Sequence, residues 1–303
     1  MAVGLFNRAI AAAMPLVPRP LVWRFSRRYI AGVDLEDAYR AVAELNASDC
    51  SATIDVLGED STNPEEVQSA IDLYLKAIRD IHAKSLRCGI SVKLSELGLR
   101  FDPEGCRHAV RTLIASAADH DRFVRIDMED SSVTSVTLDI YREMRGEFEN
   151  VGIVLQSCLR RSEQDIADLL EEGVTDVRLC KGIYIEPEAI AFLDPDEIRS
   201  SFNNLLEQLF EGGARRVAIA THDPLLVEHA EVLIEKLGLG EDRYEFQMLL
   251  GVAGSLRREL VARGHPMRVY VPFGDRWYAY SMRRLRENPN IAGHVVGNLL
   301  SRS

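Results

Sequence analysis

The 303-residue sequence lacks several features that would place it in a specialised class of protein. No stretch approaches the roughly 20 apolar residues of a transmembrane helix, and there is no low-complexity tract. The apolar run at residues 9–18 is short and ends in prolines, so it makes a poor secretory signal. The five cysteines form no Cys-x-x-Cys pair and are odd in number, which argues against a disulfide framework or zinc knuckle. These absences predict a protein of a reducing compartment, the cytoplasm.

The charge is unevenly distributed. Residues 1–33 hold five arginines and no acid, while the whole chain carries −11, so the remainder carries −16. Because an acidic body repels nucleic acid, we expect no nucleic-acid partner. Two interpretations of the basic segment stay open. It could touch anionic lipid, which would place the protein peripherally at the inner face of the membrane, or it could pack on its own protein or a neighbouring subunit.

Eight short apolar runs without internal proline alternate with amphipathic stretches. The predicted strands are Ser51–Leu57, Ile90–Leu94, Phe123–Asp127, Val151–Gln156, Val174–Cys180, Arg215–Thr221, Tyr244–Leu249 and Met267–Val271. Continuous apolar runs of this kind are typical of parallel strands buried on both faces.

The clearest helix begins with Asn63 as its N-cap and Pro64 as its first residue, and Gly89 follows its end. Eight strands alternating with helices predict an α/β fold, a (βα)8 TIM-like barrel, over residues 51–303, preceded by an N-terminal helical arm at residues 1–50. An open doubly wound sheet is the alternative, but no G-x-G-x-x-G follows the first strand.

Polar residues fall near the ends of seven of the eight predicted strands. They are Lys93, Asp127, Gln156, Arg178 with Lys181, Thr221 with His222, Gln247 and Tyr270. Each alone has a structural interpretation, such as a helix N-cap for Asp127 or a satisfied core histidine for His222. Since active sites of such barrels lie at the carboxyl ends of the strands, the set together predicts a site there. It contains no Ser–His nucleophile pair and no convincing set of metal ligands.

The last predicted helix carries a second polar group. Tyr280, Arg283, Arg284 and Glu287 follow helical spacing and share one face. This face is either solvated, with an Arg283–Glu287 ion pair, or a pair of guanidinium groups that binds a carboxylate.

These segments resemble the proline dehydrogenase family over residues 51–290. The run Arg178-Leu179-Cys180-Lys181-Gly182-Ile183-Tyr184 resembles its R-L-x-K-G-A-Y segment. Agreement extends, in order, to the segments at residues 91–95, 125–129, 155–157, 220–222, 245–249 and 268–272 and to the R-R-L-x-E-N run at 283–288. The length is similar to that of the monofunctional bacterial members.

The resemblance implies FAD as the cofactor, L-proline as the substrate and Δ1-pyrroline-5-carboxylate as the product. Hydride would pass from proline C5 to flavin N5, and the electrons would pass to a membrane quinone. It implies catalytic roles for Asp127 and Arg178. Substrate contacts are implied for Lys93, Tyr270, Tyr280, Arg283, Arg284 and Glu287. Cofactor contacts are implied for Met128, Gln156, Arg178, Lys181, Gly182, Ile183, Tyr184, Thr221, His222 and Gln247.

Two residues depart from the family pattern: Ile183 stands in place of the usual alanine, and Asp223 where many members have asparagine. Competing hypotheses are another flavin barrel such as a folate reductase using a nicotinamide cofactor, a metal-dependent aldolase or isomerase, and a non-enzymatic binding barrel. The Arg283–Arg284 pair disfavours the first, because a small carboxylate substrate explains it better.

Overall fold

The computed structural model describes residues 22–23, 26–278 and 280–282. Eight parallel strands close into a barrel in sequence order. The strands are β1 (Cys50–Val56), β2 (Cys88–Val92), β3 (Val124–Ile126), β4 (Val151–Gln156), β5 (Asp176–Cys180), β6 (Arg216–Ala220), β7 (Tyr244–Leu249) and β8 (Met267–Phe273). The helices are α1 (Leu35–Asn46), α2 (Pro64–Ala83), α3 (Pro103–Asp119), α4 (Thr134–Glu147), α5 (Ser162–Glu171), α6 (Pro195–Glu211), α7 (Pro224–Leu237) and α8 (Gly254–Ala262). The predicted (βα)8 barrel is therefore confirmed.

The predicted start of α2 is also found. The side chain of Asn63 accepts a hydrogen bond from the backbone N–H of Glu66 (3.0 Å), and Pro64 opens the helix. The helix ends at Ala83, earlier than Gly89, and buries Tyr74 and Ile78 against the barrel.

Several strand limits differ from the prediction by one or two residues. β2 begins at Cys88 and ends at Val92, so Lys93 follows the strand instead of closing it. β5 begins at Asp176, because Val174 still belongs to the turn after α5. β8 continues to Phe273, because Pro272 and Phe273 still pair with β1. Proline has no N–H to donate, and the pairing at residue 272 does not require one.

The segment before β1 packs on the barrel where it is described. Leu35 and Val42 of α1 join the same apolar core as the strands, and the rings of Trp23 and Trp277 meet edge to face at 4.7 Å. The backbone N–H of Ala31 donates to the carbonyl of Pro272 (2.9 Å). The boundary at residue 50 between an N-terminal arm and the barrel domain stays a prediction.

The interior of the barrel is polar, which the apolar strand runs did not predict. Outward-facing residues pack on the helices, while five charged residues point inward near the amino ends of the strands. We call them the floor cluster: Arg125, Asp176, Arg216, Glu245 and Arg268. Interiors of such barrels are more often filled by branched apolar side chains. Because side chains alternate along a strand, the next inward-facing residues toward the carboxyl ends of the strands are Asp127, Arg178, Gln247 and Tyr270.

Candidate active site

A cavity of about 360 Å³ opens at the carboxyl ends of the strands. Its lining includes every predicted site residue that the structure describes: Lys93, Asp127, Met128, Gln156, Arg178, Lys181, Gly182, Ile183, Tyr184, Thr221, His222, Gln247, Tyr270 and Tyr280. Arg283, Arg284 and Glu287 lie outside the described residues. The strand-end residues were thus correctly predicted to come together.

Asp127 is the centre of the hydrogen-bond network in this cavity. Its Oδ1 accepts from Arg178 Nη1 (2.7 Å) and from the Ser91 hydroxyl (2.8 Å), while its Oδ2 accepts from the Tyr270 hydroxyl (2.8 Å). The Arg178 guanidinium also lies over the Tyr270 ring, 5.3 Å from its centre. One carboxylate directly after β3 therefore orients groups from β2, β5 and β8.

Lys93 is held by Asp55, a residue that sequence reasoning missed. Lys93 Nζ lies 2.5 Å from Asp55 Oδ1 and 3.8 Å from Asp127 Oδ2. Asp55 is fully buried, and this burial, opposed by Lys93, raises its pKa to about 6. The signal was present in the sequence: an aspartate inside an otherwise apolar strand is rarely buried without a partner. We call Asp55, Lys93, Asp127, Arg178 and Tyr270 the rim cluster.

On the opposite side of the cavity, Lys181 pairs with Asp223. Lys181 Nζ lies 2.6 Å from Asp223 Oδ2, and Arg199 Nε lies 2.7 Å from the same oxygen. Burial opposes the charge of Asp223, but the two cations outweigh it and lower its pKa to about 2. Asp223, one of the two departures from the family pattern, therefore neutralises a predicted cofactor-binding lysine.

The polar neutral residues are held by the protein itself. Gln156 donates to the carbonyl of Glu129 (2.9 Å) and Gln247 donates to Glu245 (2.5 Å). His222 Nε2 accepts the backbone N–H of Leu249 (2.9 Å), so a neutral ring carries its proton on Nδ1. These residues have fixed orientations before any ligand binds.

The formal charges of the described lining almost cancel. Three cations, Lys93, Arg178 and Lys181, share the cavity with four carboxylates: Asp55, Glu59, Asp127 and Asp223. Glu59, like Asp55, was not predicted. A carboxylate ligand therefore needs more positive charge than the described lining supplies.

Within the described ranges, no group of three or more His, Cys, Asp or Glu residues is arranged to hold a metal ion. Nor is any helix there long and apolar enough to cross a bilayer.

A family model described as proline dehydrogenase matches residues 38–296. The chain belongs to the proline dehydrogenase family. It is 35% identical over 287 residues to the proline dehydrogenase of Deinococcus radiodurans, covering 93% of this chain and 92% of that protein. It is 36% identical over 278 residues to proline dehydrogenase 1 of Bacillus subtilis, covering 91% of each.

Solved structures of proline utilization A share the fold. The protein from Bdellovibrio bacteriovorus, inactivated by N-propargylglycine, aligns with a TM-score of 0.80 at 24% identity, over 86% of this chain and 32% of that one. A variant from Bradyrhizobium japonicum aligns with a TM-score of 0.73 at 22% identity, over 85% of this chain and 30% of that one. The chain thus spans about a third of these proteins' length. Membership of the family confirms the resemblance seen in the sequence and the expected class of enzyme, an oxidoreductase.

The cavity of this family member suits a flavin. Arg178 Nε is buried and has no hydrogen-bond partner among the described residues, so the cavity wall holds a charged donor that the protein does not use. Gly182 has a φ of +97°, and a Cβ there would lie 2.9 Å from Gln156 Oε1 and even closer to Cys158 Sγ. The backbone can turn along the cavity only because residue 182 is glycine. Val154, Met248 and Leu249 add apolar wall for a flat ring system.

Proposed function

We propose that this protein oxidises L-proline to Δ1-pyrroline-5-carboxylate with FAD bound in the cavity at the carboxyl ends of the strands. The observation that carries the proposal is the rim cluster in a member of the proline dehydrogenase family. Asp127, Arg178 and Tyr270 come from three strands and converge on one point of the cavity. FAD, when bound, would supply the two-electron acceptor.

The balance of charge supports a substrate carboxylate held by further cations. The described lining has no net positive charge to offer, because Asp55 already engages Lys93 and Asp127 engages Arg178. We infer that Arg283 and Arg284, which the sequence spacing predicts on one helix face with Tyr280, bring the missing charge, with Lys93 as a third contact. One guanidinium group can bind a carboxylate through two parallel N–H···O hydrogen bonds, and Glu287 would hold the two arginines in place.

The aromatic residues would exclude water from the rest of the substrate. Tyr280 is buried and packs with Ile30, Leu57 and Trp277 beside the cavity. Tyr270 is fixed by its hydrogen bond to Asp127. Two fixed aromatic walls would hold a small ring in one orientation, and orientation is a large part of what this chain's residues can contribute to the rate.

Arg178 is the residue we assign to the reacting edge of the flavin. Asp127 holds its Nη1, while its Nε keeps an unused N–H. A fixed guanidinium next to the ring would stabilise negative charge that arrives there. Gln156, Lys181, the backbone of residues 182–184, Met128, Thr221, His222 and Gln247 would contact the remainder of the cofactor.

Purified protein tests this proposal. We expect a flavin absorption spectrum after purification, and anaerobic addition of L-proline should bleach it. D-proline is the matched control and should react far more slowly. Bleaching by NADH but not by proline would favour a nicotinamide-linked flavin barrel, and a colourless protein that takes up no flavin would contradict the proposal.

The electron acceptor is a separate part of the proposal. We propose a membrane quinone, reached by peripheral contact through the basic N-terminal segment. Trp23 packs on Trp277, so residues 1–20 are the better candidates for lipid contact. Full-length protein should sediment with anionic vesicles at low salt. Protein without residues 1–20, which loses two of the five arginines, should sediment less and still react with proline. Equal sedimentation of both forms would contradict the assignment.

A further inference from the structure

Three loops at the carboxyl end of the barrel are joined by one arginine. Arg100, in the loop between β2 and α3, donates through Nε to Asp60 Oδ1 (2.7 Å), in the loop between β1 and α2. Its Nη2 donates to the Asp130 carboxylate and its Nη1 to the Ser132 hydroxyl (3.3 Å), both in the loop between β3 and α4. We call these four residues the Arg100 bridge.

The loop after β3 is the fixed end of the bridge. The Glu129 carboxylate accepts hydrogen bonds from the backbone N–H (2.9 Å) and the hydroxyl of Ser95, and Glu129 is only 3% exposed. Further along the same loop, the N–H (2.7 Å) and the hydroxyl (2.6 Å) of Ser131 donate to Glu186. This loop is therefore held in place independently of the Arg100 bridge.

The loop after β1 depends more on the bridge. Asp60 has a φ of +49°, a left-handed conformation that costs a non-glycine residue energy and persists where its surroundings hold it. The backbone N–H groups of Asp60 and Ser61 donate to Ser95 at the longer distance of 3.2 Å each. Arg276 reaches the carbonyl of Glu59 at 3.5 Å. Since Glu59 lines the active-site cavity, its position there depends on how the neighbouring Asp60 is held.

The bridge is too exposed to contribute much to stability. The side chains of Arg100, Asp60 and Asp130 are 38%, 64% and 33% exposed. Ion pairs at such exposure add little to the free energy of unfolding, because water and salt screen them. A guanidinium group nevertheless presents its donors in a rigid fork, so it can hold two carboxylates in fixed directions. The bridge can therefore set the position of one loop against another without deciding whether the barrel folds.

We propose that Arg100 is a positioning residue for substrate binding, which holds the loop after β1 so that Glu59 stays in the wall of the active-site cavity. The inference rests on the proposed function, in which proline binds in that cavity. Arg100 does not line the cavity and acts through Asp60. Arg178 and Tyr270 stand on strands, so the loop should affect how tightly proline is held and not how fast bound proline reacts.

Anaerobic flavin reduction over a range of L-proline concentrations separates affinity from rate. Arg100→Met should raise the concentration for half-maximal reduction roughly tenfold, less than the about 10²-fold that misplaced groups can cost, with the limiting rate unchanged. Asp60→Asn should act in the same way, because asparagine also tolerates the left-handed conformation but lacks the charge. The double variant should be no worse than Arg100→Met alone, since both substitutions remove one contact.

Two further variants serve as controls. Arg100→Lys can reach one carboxylate but not both, so its affinity for proline should lie between those of wild type and Arg100→Met. Arg111→Met removes an arginine that binds Glu143 and Glu147 on α4, outside the cavity lining, and should behave like wild type.

Amide hydrogen exchange of the flavin-loaded protein is a readout that needs no turnover. Residues 58–62 should exchange several-fold faster in Arg100→Met than in wild type, while the loop after β3 keeps its protection. Wild-type exchange at residues 58–62 in Arg100→Met would overturn the proposal. So would wild-type affinity for proline in both single variants, or a lower limiting rate at unchanged affinity. If proline does not reduce the flavin of wild type, the proposed function fails instead, and the exchange measurement still decides whether Arg100 holds the loop.

Discussion

The floor cluster and the rim cluster are built from the same kinds of residue but hold their charges differently. Glu245 in the floor faces two arginines, Arg268 Nε at 2.7 Å and Arg216 Nη2 at 2.8 Å. Burial disfavours its charge, but the arginines outweigh it and lower its pKa to about 2. Asp55 in the rim faces one lysine and a second acid, so burial prevails and raises its pKa to about 6.

The partners of the cations differ as well. Arg125 and Arg268 in the floor also donate to backbone carbonyls, those of Ile153 and Ala52. In the described part of the chain, Lys93 and Arg178 bond only with side chains. A cation that is hydrogen-bonded to backbone carbonyls is held in one position by the strands. A cation that is hydrogen-bonded only to side chains is freer to form new hydrogen bonds with a ligand. The comparison indicates that the floor stabilises the barrel and that the rim serves the reaction.

The largest effect is expected from Glu245→Gln. It leaves two half-buried arginines, whose side chains are 19% and 35% exposed, without their carboxylate. The free energy of unfolding should therefore fall by about 3 kcal/mol, the lower end of what removal of one partner of a buried ion pair costs. Urea unfolding measures this. Glu241→Gln, at an exposed position before the same strand, is the control and should change stability by less than about 0.5 kcal/mol. A similar small change in Glu245→Gln would break the comparison.

In the rim, Arg178→Met should impair the reaction more than the fold. Loss of a charged donor beside the flavin should slow anaerobic flavin reduction roughly 10²–10³-fold, as loss of one such donor does elsewhere. Proline affinity should change much less, because we assign the substrate carboxylate to other residues. Stopped-flow reduction over a range of proline concentrations separates the two effects. A wild-type rate of flavin reduction in Arg178→Met would contradict the assignment of Arg178 to the reacting edge of the flavin.

Asp55 and Glu245 should make the free energy of unfolding depend on pH in opposite directions, and Asp55→Asn tests this. The folded pKa of Asp55, about 6, exceeds its ordinary value of 3.8, so its ionisation costs stability as the pH rises from about 4 to about 6. Glu245, with a pKa lowered to about 2, adds stability over pH 2 to 4.5. Urea unfolding at several pH values should show that Asp55→Asn removes the decline between pH 4 and 6. A decline of wild-type size in the variant would assign it to another group.

The smallest effect is expected from Asp223→Asn. The substitution frees Lys181 from its carboxylate, while asparagine can still cap α7. If Lys181 contacts the cofactor, FAD should bind about fivefold more tightly, roughly 1 kcal/mol. Fluorescence titration of flavin-free protein measures the affinity, and Lys181→Met in the same background should reverse the gain. Weaker binding in Asp223→Asn would contradict the assignment of Lys181.

The outer face of the barrel was predictable because its apolar residues recur in short runs and its helices begin with recognisable caps, as at Asn63. The rim was predictable in part, since Asp127 and Arg178 stand near strand ends and match family motifs. Strand limits such as the end of β2 were not, because they depend on pairing with neighbouring strands.

The charged interior of the barrel is the main feature that the sequence did not predict. Asp55 and Glu245 each lie inside an apolar run, and a single strand does not reveal which cation of a neighbouring strand will meet them. The partners of Asp55 and Glu245 are separated from them by 38 and 23 residues, respectively. Parallel pairing of neighbouring strands, each separated from the next by a helix in the chain, brings these charges together.

A crystal structure of the flavin-loaded protein with a saturated five-membered ring carboxylate that cannot be oxidised would test the central claim most directly. The account predicts the isoalloxazine ring in the cavity next to Arg178. The carboxylate should lie between Lys93 and the guanidinium groups of Arg283 and Arg284, with the ring between Tyr270 and Tyr280. A ligand bound outside this cavity, or a carboxylate that contacts neither arginine, would contradict the account.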